Sequence, residues 1–278
     1  MSFQPILSNS ISLLEDVRFQ ISHKDSFIDP SRMQTDDSHV HNCYEIYVNV
    51  SGNVSFLHSN NLYMIRSADV IFSRPGEVHH CIFNSPCIHE HYCLWFSASK
   101  ESPVANFINK HCFSAHMRLD GKRAERLLSL FSELLTNRDE FERGVLFFDI
   151  LMLMKERLGS SSDERIALPY KMQKMLEYVN ESFLEISSVN VIAERFHVSI
   201  PTVNRWFREY LHLSPSELIK AKKLSYAEKL IRNEYSVTDA CFSAGFVDCS
   251  RFIGLFKRVY GLTPLQYKKA LAHFNSNN

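Results

Sequence analysis

The chain has 278 residues, 45% of them hydrophobic, which is enough for two domains with packed cores and argues against extensive disorder. Its 31 Lys and Arg balance 31 Asp and Glu, so the formal net charge is zero. The two halves nevertheless differ, because residues 1–169 hold 16 Lys and Arg against 21 Asp and Glu, whereas residues 170–278 hold 15 against 10. An acidic first half and a basic second half suit a sensor joined to a polyanion-binding domain.

Neither export nor membrane insertion is expected. The first residues lack a basic segment followed by a long apolar run, which a secretory signal would have. The most apolar stretch, residues 145–154, is shorter than the ~20 helical residues that cross a bilayer. The seven cysteines form no CxxC pair, so we expect them to be reduced thiols of a cytoplasmic protein.

The region up to about residue 109 is predicted to consist of short strands. Runs rich in β-branched and aromatic residues alternate there with turn sequences such as Ser51-Gly52-Asn53 and Pro75-Gly76. The predicted strands are residues 44–50, 54–58, 62–65, 70–73 and 91–96. Many short strands at close spacing indicate a small barrel or sandwich.

Ten of the 13 histidines lie in the first 116 residues, and four side chains form a candidate effector site. His39, His41 and Glu45 have the same parity along a strand and can face one side of it, and His79 follows from a later strand. Three interpretations are open: the residues hold a divalent metal, they hydrogen-bond a small polar effector, or they are structural groups at the barrel mouth. Metal is the least favoured of the three, and no cofactor is expected.

The pattern H-x-H-x3-E-x6-G, which runs from His39 to Gly52, resembles the first signature segment of the cupin superfamily. His79 and Asn84 lie near the His and Asn of its second segment, although Ser67-Ala68-Asp69 stands where many members have Gly-Asp. The resemblance implies a cupin-like β-barrel. It also offers an alternative function, a metal-dependent cupin enzyme such as a dioxygenase or isomerase, which would leave the second half of the chain without a role.

Two helices and a linker are predicted to follow the barrel. Residues 122–136 place Leu and Phe on one side at spacings of three and four, which predicts an amphipathic helix. Residues 145–158 are apolar nearly all round and require cover on several sides, either by burial against the barrel or in a homodimer seam. The Gly/Ser-rich residues 159–169 then break the pattern and indicate an interdomain linker.

The last hundred residues contain one short helical unit twice, at residues 189–215 and 236–264. Ala193 aligns with Cys241 at an offset of 48, and Phe207 aligns with Phe256 at an offset of 49, so one residue is inserted at the turn. A duplicated helix-turn-helix predicts one task performed twice. The predicted helices are residues 170–183 before the repeat, 189–196 and 200–211 in the first unit, 215–231 between the units, and 237–244 and 249–260 in the second unit.

The second helix of each unit carries candidate DNA contacts on the side opposite its aromatic residues. Arg can hydrogen-bond guanine in bidentate fashion in the major groove, and Asn can do the same with adenine. Taken alone, such a row is most simply a solvated face, but within a repeated helix-turn-helix DNA contact is favoured. The candidate residues are Pro201, Asn204, Arg205 and Arg208 in the first unit, and Ser250, Arg251 and Lys257 in the second.

The helix predicted between the units sets their separation. About 17 residues at 1.5 Å each span roughly 25 Å. With the width of the units added, the two second helices can lie about one DNA turn, ~34 Å, apart on one face. A single chain could then occupy two successive major grooves.

The order of barrel, helices, linker and paired helix-turn-helix units resembles the AraC/XylS family of bacterial transcription regulators. The most specific segment is residues 240–267, whose A-x4-GF…F-x3-FKR-x2-G-x-TP-x2-Y pattern is similar to the family signature. The resemblance extends over about residues 170–270 and, less closely, 35–100. It implies base-reading positions at Pro201, Asn204 and Arg205, with Thr202 beside them, and at Cys249, Ser250, Arg251 and Gly254.

Two residues depart from the family pattern. His197 stands at the first turn, where the family commonly has Gly, and Gly254 stands where it commonly has Arg. A glycine contributes no side chain to a groove. The second unit is therefore expected to act mainly through phosphate contacts, with Arg251 one turn earlier as a partial substitute.

The predicted fold class is α+β and multidomain. Its expected parts are a cupin-like effector or sensor domain (residues 1–116), a helical dimerisation or packing segment (117–158), a linker (159–169) and a double helix-turn-helix domain (170–273). The resemblance implies a sequence-specific DNA-binding transcription regulator, not an enzyme, and we expect an activator. Its implied partners are direct-repeat promoter sites on double-stranded DNA, a second copy of the chain, RNA polymerase, and a small-molecule effector or a protein that acts on the barrel, all in the bacterial cytoplasm on the nucleoid.

Overall fold

The computed structural model describes residues 11–14, 17–30, 43–59, 61–99, 101–119, 121–155 and 165–276. A β domain comes first and a helical domain last, which confirms the predicted α+β fold class. Within these residues, no helix is both long enough and apolar enough to cross a bilayer. All seven cysteines are free thiols.

The β domain consists of two antiparallel sheets. Their order is β1-β2-β8-β3-β6-β9 in the larger sheet and β5-β4-β7 in the smaller one. The strands in the described residues are β1 (Ile11–Leu14), β2 (Val17–Ile28), β3 (Tyr44–Ser51), β4 (Val54–His58), β5 (Asn61–Ile65), β6 (Val70–Ser73), β7 (His79–Phe83), β8 (Cys87–Ala98) and β9 (His116–Met117).

All the predicted strands are present. The sequence pattern did not predict β1, β2, β7 or β9, and of β8 it predicted only residues 91–96. The outer halves of β2 and β8 pair with each other, with Ser26 opposite His89, and the β2 half of this ribbon is largely exposed. Polar residues in such a ribbon show no alternation of polarity. Pairing over the full length of the two strands, rather than local sequence, makes them strands.

The helices in the described residues are α1 (Pro103–His111), α2 (Gly121–Thr136), α3 (Glu140–Lys155), α4 (Tyr170–Ser182), α5 (Val189–Arg195), α6 (Ile200–Leu211), α7 (Pro215–Arg232), α8 (Val237–Ser243), α9 (Cys249–Tyr260) and α10 (Pro264–Ser276). The sequence predicted all of them except α1 and α10. Helix α3 begins five residues before its predicted start, because the Asp139 carboxylate accepts a hydrogen bond from the Glu142 backbone N–H at 2.8 Å and caps the extra turn.

The inner faces of the two sheets share a core. Tyr47, Ile71 and Trp95 of the larger sheet are buried there with Val54 and Phe56 of the smaller one. Two twisted sheets that face each other form the small barrel that the strand pattern predicts.

Helices α2 and α3 cover the opposite face of the larger sheet. The Phe19 ring of β2 stacks on Phe147 of α3 with centroids 4.9 Å apart, and Phe131 of α2 and Ile150 of α3 are fully buried beside them. Cover on both faces explains why β6 is buried along its whole length. Burial against the barrel, one of the two interpretations of the apolar 145–158 segment, is confirmed for this side of α3.

The other side of α3 is apolar as well, but it is exposed. Phe141, Val145, Phe148 and Met152 follow each other at spacings of four, three and four, with exposed fractions of 79%, 47%, 36% and 47%. Helix α3 therefore has two apolar sides, of which the described part of the chain covers one.

The barrel packs directly on the helical domain. Leu57, Val78 and Ile82 from the smaller sheet and its flanking turn belong to one core with residues of α4 and α7. The Ser225 hydroxyl of α7 donates a hydrogen bond to the Gly76 carbonyl at 2.8 Å. Where the predicted linker ends, the Ile166 N–H donates to the Leu62 carbonyl of edge strand β5 at 2.7 Å. The first part of that linker, residues 159–164, lies outside the described residues.

Candidate functional site

The first helix-turn-helix unit consists of α5 and α6. The Ser199 hydroxyl caps α6 by accepting a hydrogen bond from the Thr202 backbone N–H at 3.3 Å, and Pro201 lies in the first turn, where its missing N–H costs little. Val203, Phe207 and Leu211 are fully buried along one side of α6. This packing fixes which side of α6 faces outward.

The candidate DNA-binding residues of the first unit lie on or beside this outward side. Pro201, Arg205 and Arg208 are exposed, whereas Thr202 and Asn204 are half-buried. The Asn204 amide donates a hydrogen bond to the Ile200 carbonyl at 3.2 Å, so it would have to exchange this bond for one to a base. Arg205 is exposed near the middle of α6.

The second unit consists of α8 and α9, and its cap differs from that of the first. The Asp248 carboxylate accepts hydrogen bonds from the backbone N–H groups of Ser250 and Arg251 at 2.9 and 3.1 Å. Arg251 also pairs with Asp248 at 3.3 Å, but its side chain stays 90% exposed. Phe252 and Phe256 are fully buried, which turns Ser250, Arg251 and Lys257 outward.

Cys249 is oriented differently from the other candidates in α9. It is half-buried, and its thiol lies 2.6 Å from the thiol of the buried Cys241 in α8. The Cys249 sulfur is therefore directed back into the unit, while the neighbouring Ser250 and Arg251 side chains are exposed.

Helix α7 joins the two units, and its N-terminus is capped. Ser214 and Glu217 form a reciprocal capping box, and Pro215 occupies the first turn. Its 18 residues span about 27 Å, close to the sequence-based value. Glu228 near its end is buried and pairs with Arg232 at 2.6 Å, and the Tyr267 hydroxyl of α10 also donates to this carboxylate. This pairing raises the pKa of Arg232 against the opposing effect of burial.

The barrel brings together two of the four candidate effector residues. His79 Nε2 lies 2.8 Å from Glu45 Oε2, and both side chains are almost fully buried. His79 Nδ1 donates a hydrogen bond to the Glu77 carbonyl at 3.0 Å. Burial opposes a charge on His79, but the Glu45 carboxylate outweighs it and raises the pKa of His79 above its usual value. His39 and His41 lie outside the described residues.

Sequence reasoning missed further polar groups inside the barrel. His58 Nε2 lies 3.2 Å from Glu77, whose pKa is lowered because hydrogen bonds from His58 and Arg74 outweigh the effect of burial. His89 stacks on His91, and burial lowers the pKa of His91 to about 3, so that ring is neutral. The alternation His89, His91, Cys93, Trp95 along β8 was the available signal, since alternate residues share one face.

Metal binding finds no support in the described residues. Among them, and hence without His39 and His41, no group of three or more His, Cys, Asp or Glu side chains is arranged to hold a metal ion. The Glu45–His79 contact is an ion pair with its own hydrogen-bonding framework.

Two family models match the chain in its two halves. A helix-turn-helix domain matches residues 192–270, which include both units and α7. An AraC-like ligand binding domain matches residues 31–146, which include most of the barrel, α2 and part of α3.

The chain belongs to the AraC family.

Several curated relatives are regulators named RhaS. This AraC-family chain is 23% identical over 249 residues to the HTH-type transcriptional activator RhaS of Escherichia fergusonii, covering 83% of this chain and 87% of the relative. It is 28% identical over 123 residues to RhaS of Salmonella schwarzengrund, covering 44% of each chain. The match to RhaS of Escherichia coli strain SMS-3-5 covers 55% of this chain and 56% of the relative. The chain thus spans only about half the length of some of the relatives it matches.

Solved structures give weaker matches. ToxT from Vibrio cholerae O395 aligns with 93% of this chain and 99% of its own, with 14% identity and a TM-score of 0.39. A DNA-binding transcriptional dual regulator from Escherichia coli K-12 aligns with 39% of this chain and 97% of its own, with 24% identity and a TM-score of 0.34.

As an AraC-family protein, the chain is a DNA-binding transcription regulator with an N-terminal ligand-binding domain. The family matches identify a regulator rather than an enzyme. The basic helical half then has a role in binding DNA, whereas the cupin-enzyme alternative assigns it none.

Proposed function

We propose that this regulator binds promoter DNA sequence-specifically, with α6 and α9 in two successive major grooves. The observation that carries the proposal is the placement of Arg205: it is exposed near the middle of α6, a helix whose opposite side is buried in the core. Arg251 lies in the first turn of α9 and is 90% exposed, although it pairs with Asp248 at 3.3 Å. Exposed Arg side chains on a recognition helix are suited to reading base edges.

The proposed roles differ between the two units. In the first, Arg205 and Asn204 read bases, Pro201 and Thr202 lie against them, and Arg208 contacts phosphate. In the second, Arg251 reads a base, Ser250 and Cys249 flank it, and Lys257 contacts phosphate, while Gly254 leaves one reading position without a side chain. The first unit then supplies most of the specificity, and the second supplies mainly affinity.

The test compares Arg205→Ala with wild type on the duplex that the wild-type protein enriches most strongly from a random-sequence library. We expect a cost of about 1–3 kcal/mol in binding free energy and a loss of discrimination at one base position. Wild-type affinity should also fall steeply with salt, because phosphate contacts release counterions.

The matched control is Lys174→Ala. It removes the same charge, but Lys174 is paired with Glu177 on α4 at 2.6 Å. It should bind within about twofold of wild type. The proposal that α6 reads bases would be contradicted if Arg205→Ala bound with full affinity and specificity, or if wild-type affinity did not change with salt concentration.

We further propose that the protein activates transcription, together with RNA polymerase, in the bacterial cytoplasm on the nucleoid. The names of the relatives, which are transcriptional activators, support this proposal.

We propose a homodimer through the exposed side of α3. The spacing of Phe141, Val145, Phe148 and Met152 is that of a coiled-coil seam, and such a seam is self-complementary when a second copy packs against it by two-fold symmetry. Two chains together would offer four reading helices to a promoter with repeated sites.

We propose that a small polar effector acts on the barrel near Glu45 and His79. The supporting observation is that its interior is lined by polar and aromatic side chains, including Tyr47, His89 and His91, which stack on one another. Such a lining offers both hydrogen bonds and ring faces to a small ligand.

A further inference from the structure

A lysine in the middle of α7 contacts both the second helix-turn-helix unit and the loop that leads into the first. Lys223 is only 9% exposed, and its ammonium donates hydrogen bonds to the Ile186 carbonyl at 3.1 Å and the Gly245 carbonyl at 3.4 Å. Ile186 lies in the loop that leads from α4 into the first unit. Gly245 lies in the turn between the two helices of the second unit. One side chain thus joins the backbone of the second unit to the loop that enters the first.

The burial of this charge is costly, which makes its position informative. Burial lowers the pKa of Lys223, and the two carbonyls that accept its hydrogen bonds are neutral backbone groups. A buried ammonium needs such acceptors, because its transfer out of water is otherwise strongly unfavourable. An apolar residue could fill the same space without this cost, so filling the core does not account for a lysine here.

The turn of the second unit is shaped to admit the ammonium. Gly245 has φ +76°, and a Cβ at this position would lie 3.1 Å from Lys223 Nζ and 3.3 Å from the Leu184 carbonyl. Leu184 precedes Ile186 in the same loop. Glycine therefore permits both the left-handed backbone and the close approach of the second unit's turn to the first unit's entry loop.

We propose that Lys223 is a positioning residue that fixes the orientation of the second unit relative to the first, and thereby the spacing of DNA half-sites that one chain accepts. Each unit is otherwise attached to an end of α7 by a short connection and by apolar packing, which is not directional. Hydrogen bonds are directional, and those of Lys223 reach from the centre of the connecting helix to the second unit and to the entry loop of the first. The proposal rests on the proposed reading of two successive grooves.

The experiment uses the full chain and the duplex that wild type enriches from a random-sequence library. Lys223→Met retains the length of the side chain but cannot donate. We expect it to bind the intact duplex about tenfold more weakly, since hydrogen bonds from a charged donor are lost. On a duplex whose second half-site is scrambled, its affinity should stay within about twofold of wild type. Changing the spacing between the half-sites by one or two base pairs should lower the affinity of Lys223→Met less than it lowers that of wild type.

Three further variants separate positioning from general stability. Lys220→Met changes an exposed lysine of the same helix and should behave as wild type. Lys223→Arg retains donors and should recover part of the spacing preference. Gly245→Ala crowds the ammonium from the other side and should reproduce the selective loss on the intact duplex. If Lys223→Met does not give a wild-type circular dichroism spectrum, Lys223→Arg and Gly245→Ala replace it in the test. For each of them, the ratio of the affinity for the intact duplex to that for the scrambled duplex is compared with the wild-type ratio.

Equal losses on the intact and scrambled duplexes, or an unchanged spacing preference in Lys223→Met, would overturn the role of Lys223. The two-groove proposal itself would be wrong if wild type enriched a duplex in which base changes lower the affinity at only one half-site. The two failures are distinguishable, because the second is seen with wild type alone.

Discussion

His197 and Gly245 occupy equivalent turn positions in the two units, and both adopt left-handed backbone, with φ of 52° and 76°. The family resemblance placed a glycine at this position of the first unit, and the structure shows why. A residue with a Cβ in this conformation is strained by roughly 1 kcal/mol or more relative to glycine. The first unit accepts this strain, whereas in the second a Cβ would in addition crowd Lys223 Nζ at 3.1 Å and the Leu184 carbonyl at 3.3 Å.

Replacing His197 with Gly should therefore stabilise the helical domain. We expect the free energy of unfolding to rise by up to about 1 kcal/mol, because the relief of strain is partly offset by the greater freedom of glycine in the unfolded chain. Urea denaturation followed by circular dichroism measures the change. Gly245→Ala is the matched reverse substitution and should be destabilising. A His197→Gly variant that unfolds at lower urea than wild type would contradict this account of the turn.

Helix α3 is unusual because two of its sides are apolar. Its buried side includes Phe147 and Ile150 and completes the core against the larger sheet, while its second apolar side is left open. The 145–158 segment is therefore apolar on two sides, so burial of one side against the barrel is compatible with the proposed dimer seam on the other. A stripe with seam-like spacing indicates a specific pairing rather than scattered exposed residues.

The proposed seam predicts that Met152→Glu converts a dimer to a monomer. Two buried carboxylates facing each other across a two-fold axis would weaken association by at least about tenfold, while the fold of each chain stays intact because Met152 is 47% exposed. Light scattering coupled to size-exclusion chromatography gives the mass. Ser132→Glu, on the exposed side of α2, is the control and should leave the mass unchanged. A wild-type monomer over the accessible concentration range, or a dimer unaffected by Met152→Glu, would rule out this seam.

In the whole molecule, the two halves share a core. Leu57 and Ile82 of the barrel are buried with Met172 and Leu224 of the helical domain. The Ser225–Gly76 hydrogen bond and the Ile166–Leu62 backbone bond tie the same surfaces together. Because apolar burial is shared across the junction, neither half can unfold without exposing part of the core of the other.

We accordingly expect one cooperative unfolding transition. The chain has two tryptophans, Trp95 in the barrel and Trp206 in α6, so each half carries its own fluorescent reporter. A Trp206→Phe variant reports on the barrel, and a Trp95→Phe variant reports on the helical domain. After correction for the small effect of each substitution, measured by circular dichroism, their urea midpoints should coincide. Two separated transitions would show that the shared core contributes little.

Features that depend on neighbours in sequence could be predicted from the sequence alone. The repeat and helices α4 to α9 follow from the periodicity of apolar residues and from the turn residues between them. The outward direction of Arg205 follows from the same periodicity, because a buried aromatic side fixes the exposed one.

Features that depend on residues far apart in the chain were decided only by the tertiary structure. Parity suggested that Glu45 can face the barrel interior, but not that its partner would be His79 alone among the described candidates. Strand β2 forms because β8 pairs along its whole length, and Lys223 is buried because two loops meet above the middle of α7. Local periodicity sets which side of an element is apolar, whereas packing between elements determines what that side meets and which polar groups it must satisfy.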